Sequence, residues 1–123
     1  MADMLKYFLW VGLGGALGSM ARFGVSQVLR SSHFPWATFL VNMIGCLLIG
    51  GILAFSLRHA AFEQNWRIFL ATGVCGGFTT FSAFSLESMA LLQQQKIALF
   101  LLYVVGSVLL GLLATWLGYF LLK

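Results

Sequence analysis

With 123 residues, 61% of them hydrophobic and only 8% charged, the chain has too little polar surface to cover a water-soluble globule, so lipid must be the solvent for most of it. A bilayer core of ~30 Å takes about 20 helical residues per crossing, which leaves room for four crossings and short connections but for no extramembrane catalytic module. The net charge of +4 is spread singly along the chain, as anchors for helix ends at lipid headgroups are, and points to the bilayer rather than to nucleic acid as the partner.

One transmembrane domain over residues 1–123 is therefore expected, all-α, with four spans. The first covers about 5–29, with Arg22 interrupting it near one end. Lys6 ahead of an apolar run ending in Gly18, Ser19 and Ala21 also fits a cleaved signal peptide, but Asp3, the length of the run and the hydrophobic character of the rest favour a retained helix. After the turn-like Ser31, Ser32 and His33, Pro35 stands where a helix starts without losing a bond, and the second span covers about 35–57, up to Arg58 and His59. Polar Glu63, Gln64 and Asn65 precede a third span over about 67–92, which Gln93, Gln94, Gln95 and Lys96 close. The fourth covers about 97–122. Short loops make chain neighbours antiparallel, and an even number of crossings puts both termini on one side. Cys46 and Cys75 fall inside spans, away from other ligands, which argues against a disulfide framework or a metal–thiolate site.

Orientation is weakly encoded. Lys6, Arg58, Arg67 and Lys123 lie on the side of the termini, and Arg30, Lys96 and the near-terminal Arg22 on the other, so the usual surplus of positive charge on one face is missing. Insertion in both orientations follows. Gly14 and Gly18 form a G-x-x-x-G, and Gly111, Ala114 and Gly118 share a stripe, both suited to close helix contact. An antiparallel homodimer would satisfy both observations, although glycine is also simply common in membrane helices.

The third span carries the strongest signal, because Thr72 to Ser85 puts glycines and hydroxyls at mid-bilayer. The Gly76–Gly77 pair costs about 1 kcal/mol per glycine relative to alanine, and any carbonyl freed there must find a partner in protein, water or an ion. A helix broken near 75–80 is expected, and broken helices at the midplane make ion sites from unwound carbonyls and new helix ends. The competing reading is a kink whose hydroxyls bond back to the preceding turn. Beyond the break, Phe81 and Phe84 lie one turn apart and Ser85 and Ser88 extend the same broad face. Ring edges attract anions, so this face suits a small anion, or plain packing. Asn42, in an apolar stretch of the second span, needs partners at that depth, for an ion path or as interhelical glue.

Residues 76 to 87, Gly-Gly-Phe-Thr-Thr-Phe-Ser-Ala-Phe-Ser-Leu-Glu, resemble the G-G-x-T-T-F-S-T-F-S-x-E signature of the Fluc (CrcB) fluoride channels. The resemblance extends over the chain: Gly18 to Arg22 in the first span, Thr38 to Asn42 in the second and Gly106–Ser107 in the fourth stand in the family's order and spacing. Ala83 departs from it, where the family commonly has Thr. The resemblance implies a dual-topology antiparallel homodimer with two pores, passing fluoride passively out of the cytoplasm of a bacterium through its plasma (inner) membrane and rejecting chloride. By position, Phe81 and Phe84 would line the pore, Asn42 would support the fluoride path, and Ser82, Ser85 and Ser107 would continue a polar track. A structural sodium ion at the dimer centre would rest on the backbone carbonyls of Gly76 and Thr79, two from each subunit. Arg22 would face an aqueous vestibule and raise the local anion concentration there; a headgroup-snorkelling arginine is an equally open reading.

The chemistry fits fluoride, a small and strongly hydrated ion whose water must be replaced by several weak donors rather than one strong charge. No nucleotide fingerprint or paired nucleophile and base stands out, so no enzyme is expected. Two other readings are a small multidrug-type proton antiporter, for which Glu87 is the only candidate carboxylate, and a non-transporting scaffold subunit held together by the small-residue stripes.

Overall fold

In lipid an apolar segment must satisfy its backbone internally, and the chain meets that demand with helices. The computed structural model describes residues 2–30, 33–62 and 64–123, so Ser31, Ser32 and Glu63 of the anticipated turns lie outside the described residues. The elements are α1 (Ala2–Val28), α2 (Trp36–Arg58), a third run, and α6 (Ile97–Leu122). The third run comprises α3 (Gln64–Arg67), a π-helical segment (Ile68–Cys75), α4 (Gly76–Phe78) and α5 (Phe81–Gln93). Taken as Ala2–Val28, Trp36–Arg58, Gln64–Gln93 and Ile97–Leu122, four helical stretches are long and apolar enough to cross a membrane.

Between α4 and α5 the backbone is extended, at Thr79 (φ −84°, ψ 159°) and Thr80 (φ −152°, ψ 123°). Thr80 also starts α5, its Oγ1 accepting the Ala83 N–H at 3.2 Å. The π-helical segment leading up to this point has no counterpart in the sequence pattern. At the other end, α5 turns into α6 through a tight cap. Lys96 N–H donates to the Leu91 carbonyl and Gln95 N–H to that of Leu92, both at 2.9 Å, with Gln95 in the left-handed region at φ 59°.

Helices adjacent in sequence are not the main packing partners. α1 lies along the π-helical segment and α4, and α2 lies along α6. Both pairs run parallel and meet at glycine. A Cβ built on Gly14 would stand 2.9 Å from Gly73 Cα, and one on Gly77 2.9 Å from Gly15 Cα. In the second pair a Cβ on Gly50 would stand 2.9 Å from Tyr119 N, and one on Gly118 3.0 Å from Gly51 N. Lipid tails are as apolar as leucine, so such contacts are gained by backbone approach, which only the absence of a side chain permits. The small-residue stripes expected to serve a dimer make contacts within the chain itself: Gly14 and Gly18 face the third run, and Gly111 and Gly118 face α2.

Packing between α2 and the third run joins the two pairs, and aromatic residues cluster near the helix ends. Trp10 meets Trp66 and Phe69 where α1 and the third run begin, with centroids 6.4 and 5.7 Å away. Buried side chains are few, Val41, Ala54 and Tyr103 being almost wholly covered, while Leu109, Leu112 and Leu121 stay exposed as lipid-facing residues do.

Candidate functional site

An interrupted helix leaves the carbonyls of its last turn without the N–H groups four residues on. A continuous helix would pair the carbonyls of Gly76, Gly77 and Thr79 with the N–H groups of Thr80, Phe81 and Ala83. Thr80 N–H instead donates to Asn42 Oδ1 at 2.9 Å, and Ala83 N–H to Thr80 Oγ1 at 3.2 Å, which releases the Gly76 and Thr79 carbonyls. The Gly77 carbonyl accepts from Arg22 Nε at 3.2 Å and from Ser19 Oγ at 3.5 Å.

Asn42 is the clasp of this arrangement. Its Nδ2 donates to the Thr80 carbonyl at 3.2 Å while its Oδ1 takes the Thr80 N–H, so the amide stands in for a peptide group of a neighbouring strand. Among the described residues, the second Nδ2 proton has no acceptor. Thr79 turns back on the preceding turn, its N–H and Oγ1 both donating to the Cys75 carbonyl, at 3.0 and 2.9 Å. Gly45 of α2 leaves room for the Thr79 methyl group.

These groups border a cavity of about 410 Å³ whose lining includes Asn42, Gly76, Thr79, Phe81, Phe84 and Ser107. The Ser107 hydroxyl is buried and, among the described residues, is the one buried side-chain polar atom with no hydrogen-bond partner. Phe84 is half-buried against Tyr103, with centroids 5.0 Å apart, and Phe81 tilts beside Phe84 at 5.6 Å while remaining 79% exposed. The cavity thus offers a free hydroxyl, an amide proton, two aromatic rings and two released carbonyls.

Six of the residues singled out in the sequence therefore meet in one place, and four, Ser82, Ser85, Ser88 and Arg22, do not. Ser82 and Ser85 lie exposed on the flank of α5 and do not line the cavity, Ser82 Oγ sitting 3.2 Å from Thr80 Oγ1. Arg22 lies on the opposite side of the third run, occupied by Gly77. Ser88 is buried and its hydroxyl donates to the Phe84 carbonyl at 2.7 Å, so it does not extend an open face with Ser85.

A second polar cluster lies along α5. The Glu87 carboxylate accepts from Thr38 Oγ1 at 2.6 Å and from Tyr103 OH at 2.8 Å, with Tyr103 completely buried. Reading the sequence alone misses Tyr103, although a signal exists. A carboxylate within a span must find donors, and Tyr103 stands one helical turn before Ser107, as Thr38 does before Asn42.

The donor set suits a small hard cation as well as an anion. Released backbone carbonyls are oxygen ligands without net charge, of the kind that unwound membrane helices offer to sodium, and those of Gly76 and Thr79 have lost their helical donors.

The profile of the family described as "CrcB-like protein, Camphor Resistance (CrcB)" matches residues 9–119. A protein of Flavobacterium psychrophilum named fluoride-specific ion channel FluC is 43% identical over 122 residues, 97% of this chain and 98% of its own length. A protein of the same name from Thermus thermophilus is 48% identical over 118 residues, 94% of each chain. A third, from Helicobacter pylori, is 43% identical over 121 residues, 94% of this chain and 92% of its own. The match runs through all four apolar helices and includes the cavity lined by α2, the third run and α6, and the chain belongs to the CrcB family.

Proposed function

We propose that the chain is a fluoride-specific channel, a passive exit for fluoride across a bacterial plasma membrane, assembled as an antiparallel dual-topology homodimer with two pores. The observation that carries this reading is the Ser107 hydroxyl, buried in the cavity with its proton uncommitted. A buried donor without an acceptor is costly, and an anion seated beside it removes that cost. The spare Nδ2 proton of Asn42 and the edges of Phe81 and Phe84 add weak donors, enough to replace fluoride's water without a charge that would trap it. The names of the relatives support fluoride as the ion.

The finer features follow from the same residues. The Thr79–Thr80 interruption acts as the mid-membrane break of the third helix, and Gly76 and Thr79, two carbonyls from each subunit, hold the central sodium. That ion supplies positive charge to a junction otherwise made of carbonyl dipoles. Ser82 and Ser85, exposed in one protomer, join the polar track when a second protomer closes over α5. The exposure of Phe81 and Gly76 along the cavity, with the even split of positive charge, supports an inverted partner on that side. The antiporter reading is disfavoured because Glu87 already accepts from two hydroxyls.

Purified protein in liposomes, read with a fluoride electrode beside a chloride control, tests the function. Fast fluoride efflux without chloride efflux is expected, reduced about tenfold or more in Ser107→Ala by loss of a bond to a charged ligand. The same variant should melt no lower than the parent, since it sheds an unpaired buried hydroxyl. No flux from well-folded dimer would leave the scaffold reading in its place.

A further inference from the structure

Arg22 does not point away from the protein. Its Nε donates to the Gly77 carbonyl at 3.2 Å, and Ser19, less than a turn earlier on α1, approaches the same oxygen at 3.5 Å. The contact is made where α1 and the third run touch backbone to backbone, a Cβ on Gly77 standing 2.9 Å from Gly15 Cα. Gly76 and Gly77 form the most permissive pair of residues in the run, free of the side-chain clashes that restrain other peptide planes. Two residues on, the Thr79 N–H still bonds the Cys75 carbonyl, but there the helical hydrogen bonds stop, and the Thr80 N–H that would have steadied the Gly76 carbonyl is taken by Asn42. The carbonyls of the pair thus lack their helical donors just where their direction matters, and Arg22 supplies a bond to one of them from the α1 side.

We propose that Arg22 is a positioning residue for the cation site: by holding the Gly77 carbonyl toward α1 it fixes the Gly76–Gly77 backbone and leaves the Gly76 and Thr79 carbonyls to a small hard cation. This inference rests on the reading of those carbonyls as sodium ligands. It assigns Arg22 a role carried by a donor at a defined atom, not by positive charge in a vestibule. The two roles separate cleanly by substitution. Gln places its Nε2 donor the same number of bonds from Cα as Arg Nε, without charge; Lys keeps the charge and moves the donor one bond outward; Met has neither.

The test is thermal melting of the purified dimer against sodium concentration, at constant ionic strength with choline as the replacement cation. Half-maximal stabilisation by sodium is expected to need about tenfold more sodium or greater in Arg22→Met, as loss of a charge-assisted bond implies, and to stay within about threefold of the parent in Arg22→Gln. An unchanged sodium midpoint in Arg22→Met would overturn the proposal, as would a Gln variant that behaves like Met while Lys behaves like the parent. If Arg22→Met does not fold, Arg22→Gln decides: a parental midpoint supports positioning, and a shifted one overturns it. A parent protein that conducts fluoride yet shows no sodium dependence would remove the cation site and this role together, leaving the channel in place; sodium dependence without a shift removes the role of Arg22 alone.

Discussion

Replacing Asn42 with Leu keeps the γ-branched shape and the number of side-chain heavy atoms and removes both hydrogen bonds that tie α2 to the Thr80 backbone of the third run. Two backbone groups then lose their partners, the Thr80 N–H at 2.9 Å and the Thr80 carbonyl at 3.2 Å. Each orphaned buried group costs about 1–3 kcal/mol, so the pair amounts to about 2–6 kcal/mol. The gain from a leucine offsets little of that, because apolar surface in a bilayer has apolar surroundings whether packed or not. Asn42→Asp isolates one half of the effect: its carboxylate still accepts from Thr80 N–H but turns a lone pair, where a donor stood, toward the Thr80 carbonyl. Thermal melting in detergent and fluoride efflux from liposomes should fall together, with Asn42→Leu losing stability in the stated range. A Leu variant within about 0.5 kcal/mol of the parent and still conducting would refute the reasoning, since losses from unpaired buried groups start at about twice that.

Other predictions test the seams and the turn. Gly50→Ala drives a methyl into the α6 backbone, 2.9 Å from Tyr119 N, and should destabilise by about 1–3 kcal/mol or more, since rigid backbone cannot step aside. Gly12→Ala, with nothing within 4 Å, should instead gain up to about 1 kcal/mol from helix propensity. Parallel melting curves check both. Gln95→Gly should stabilise by about 0.5–1 kcal/mol, because the left-handed backbone at φ 59° suits glycine; a lower melting temperature would count against the cap described for the turn between α5 and α6.

How much of this was legible in the sequence differs between fold and site. The four apolar stretches are long and separated by polar residues, so the helices that can span are readable from hydropathy alone. Which helices pair is not, since a stripe of small residues marks close contact without naming the partner. Gly14 and Gly18 face Gly73, Val74 and Gly77 in their own chain, and no periodicity distinguishes that from a second copy. At the site, Asn42, Thr79, Phe81 and Ser107 draw attention as polar or aromatic residues in telling positions, and one cavity gathers them. Missed were the relations between elements: Asn42 bonding the Thr80 backbone, Arg22 turning inward to Gly77, and Tyr103 completing the cluster at Glu87. Each depends on which helix faces which, a question of tertiary register.

The parallel seams also govern how the protein meets bilayers of different thickness. Where leucines interleave, two helices can slide past one another by small adjustments of rotamer. Where backbone meets backbone, as at Gly14 with Gly73 and Gly50 with Tyr119, a shift along the axis runs a neighbouring side chain into a peptide group. Hydrophobic mismatch, which costs fractions of a kcal/mol per Å, must then be relieved by tilting each helix pair as one plank or by deforming the lipid around it. Tilt between the planks converges on the contacts that join them, Asn42 with Thr80 among them. Membrane thickness thereby becomes a mechanical load on the junction at the centre of the chain.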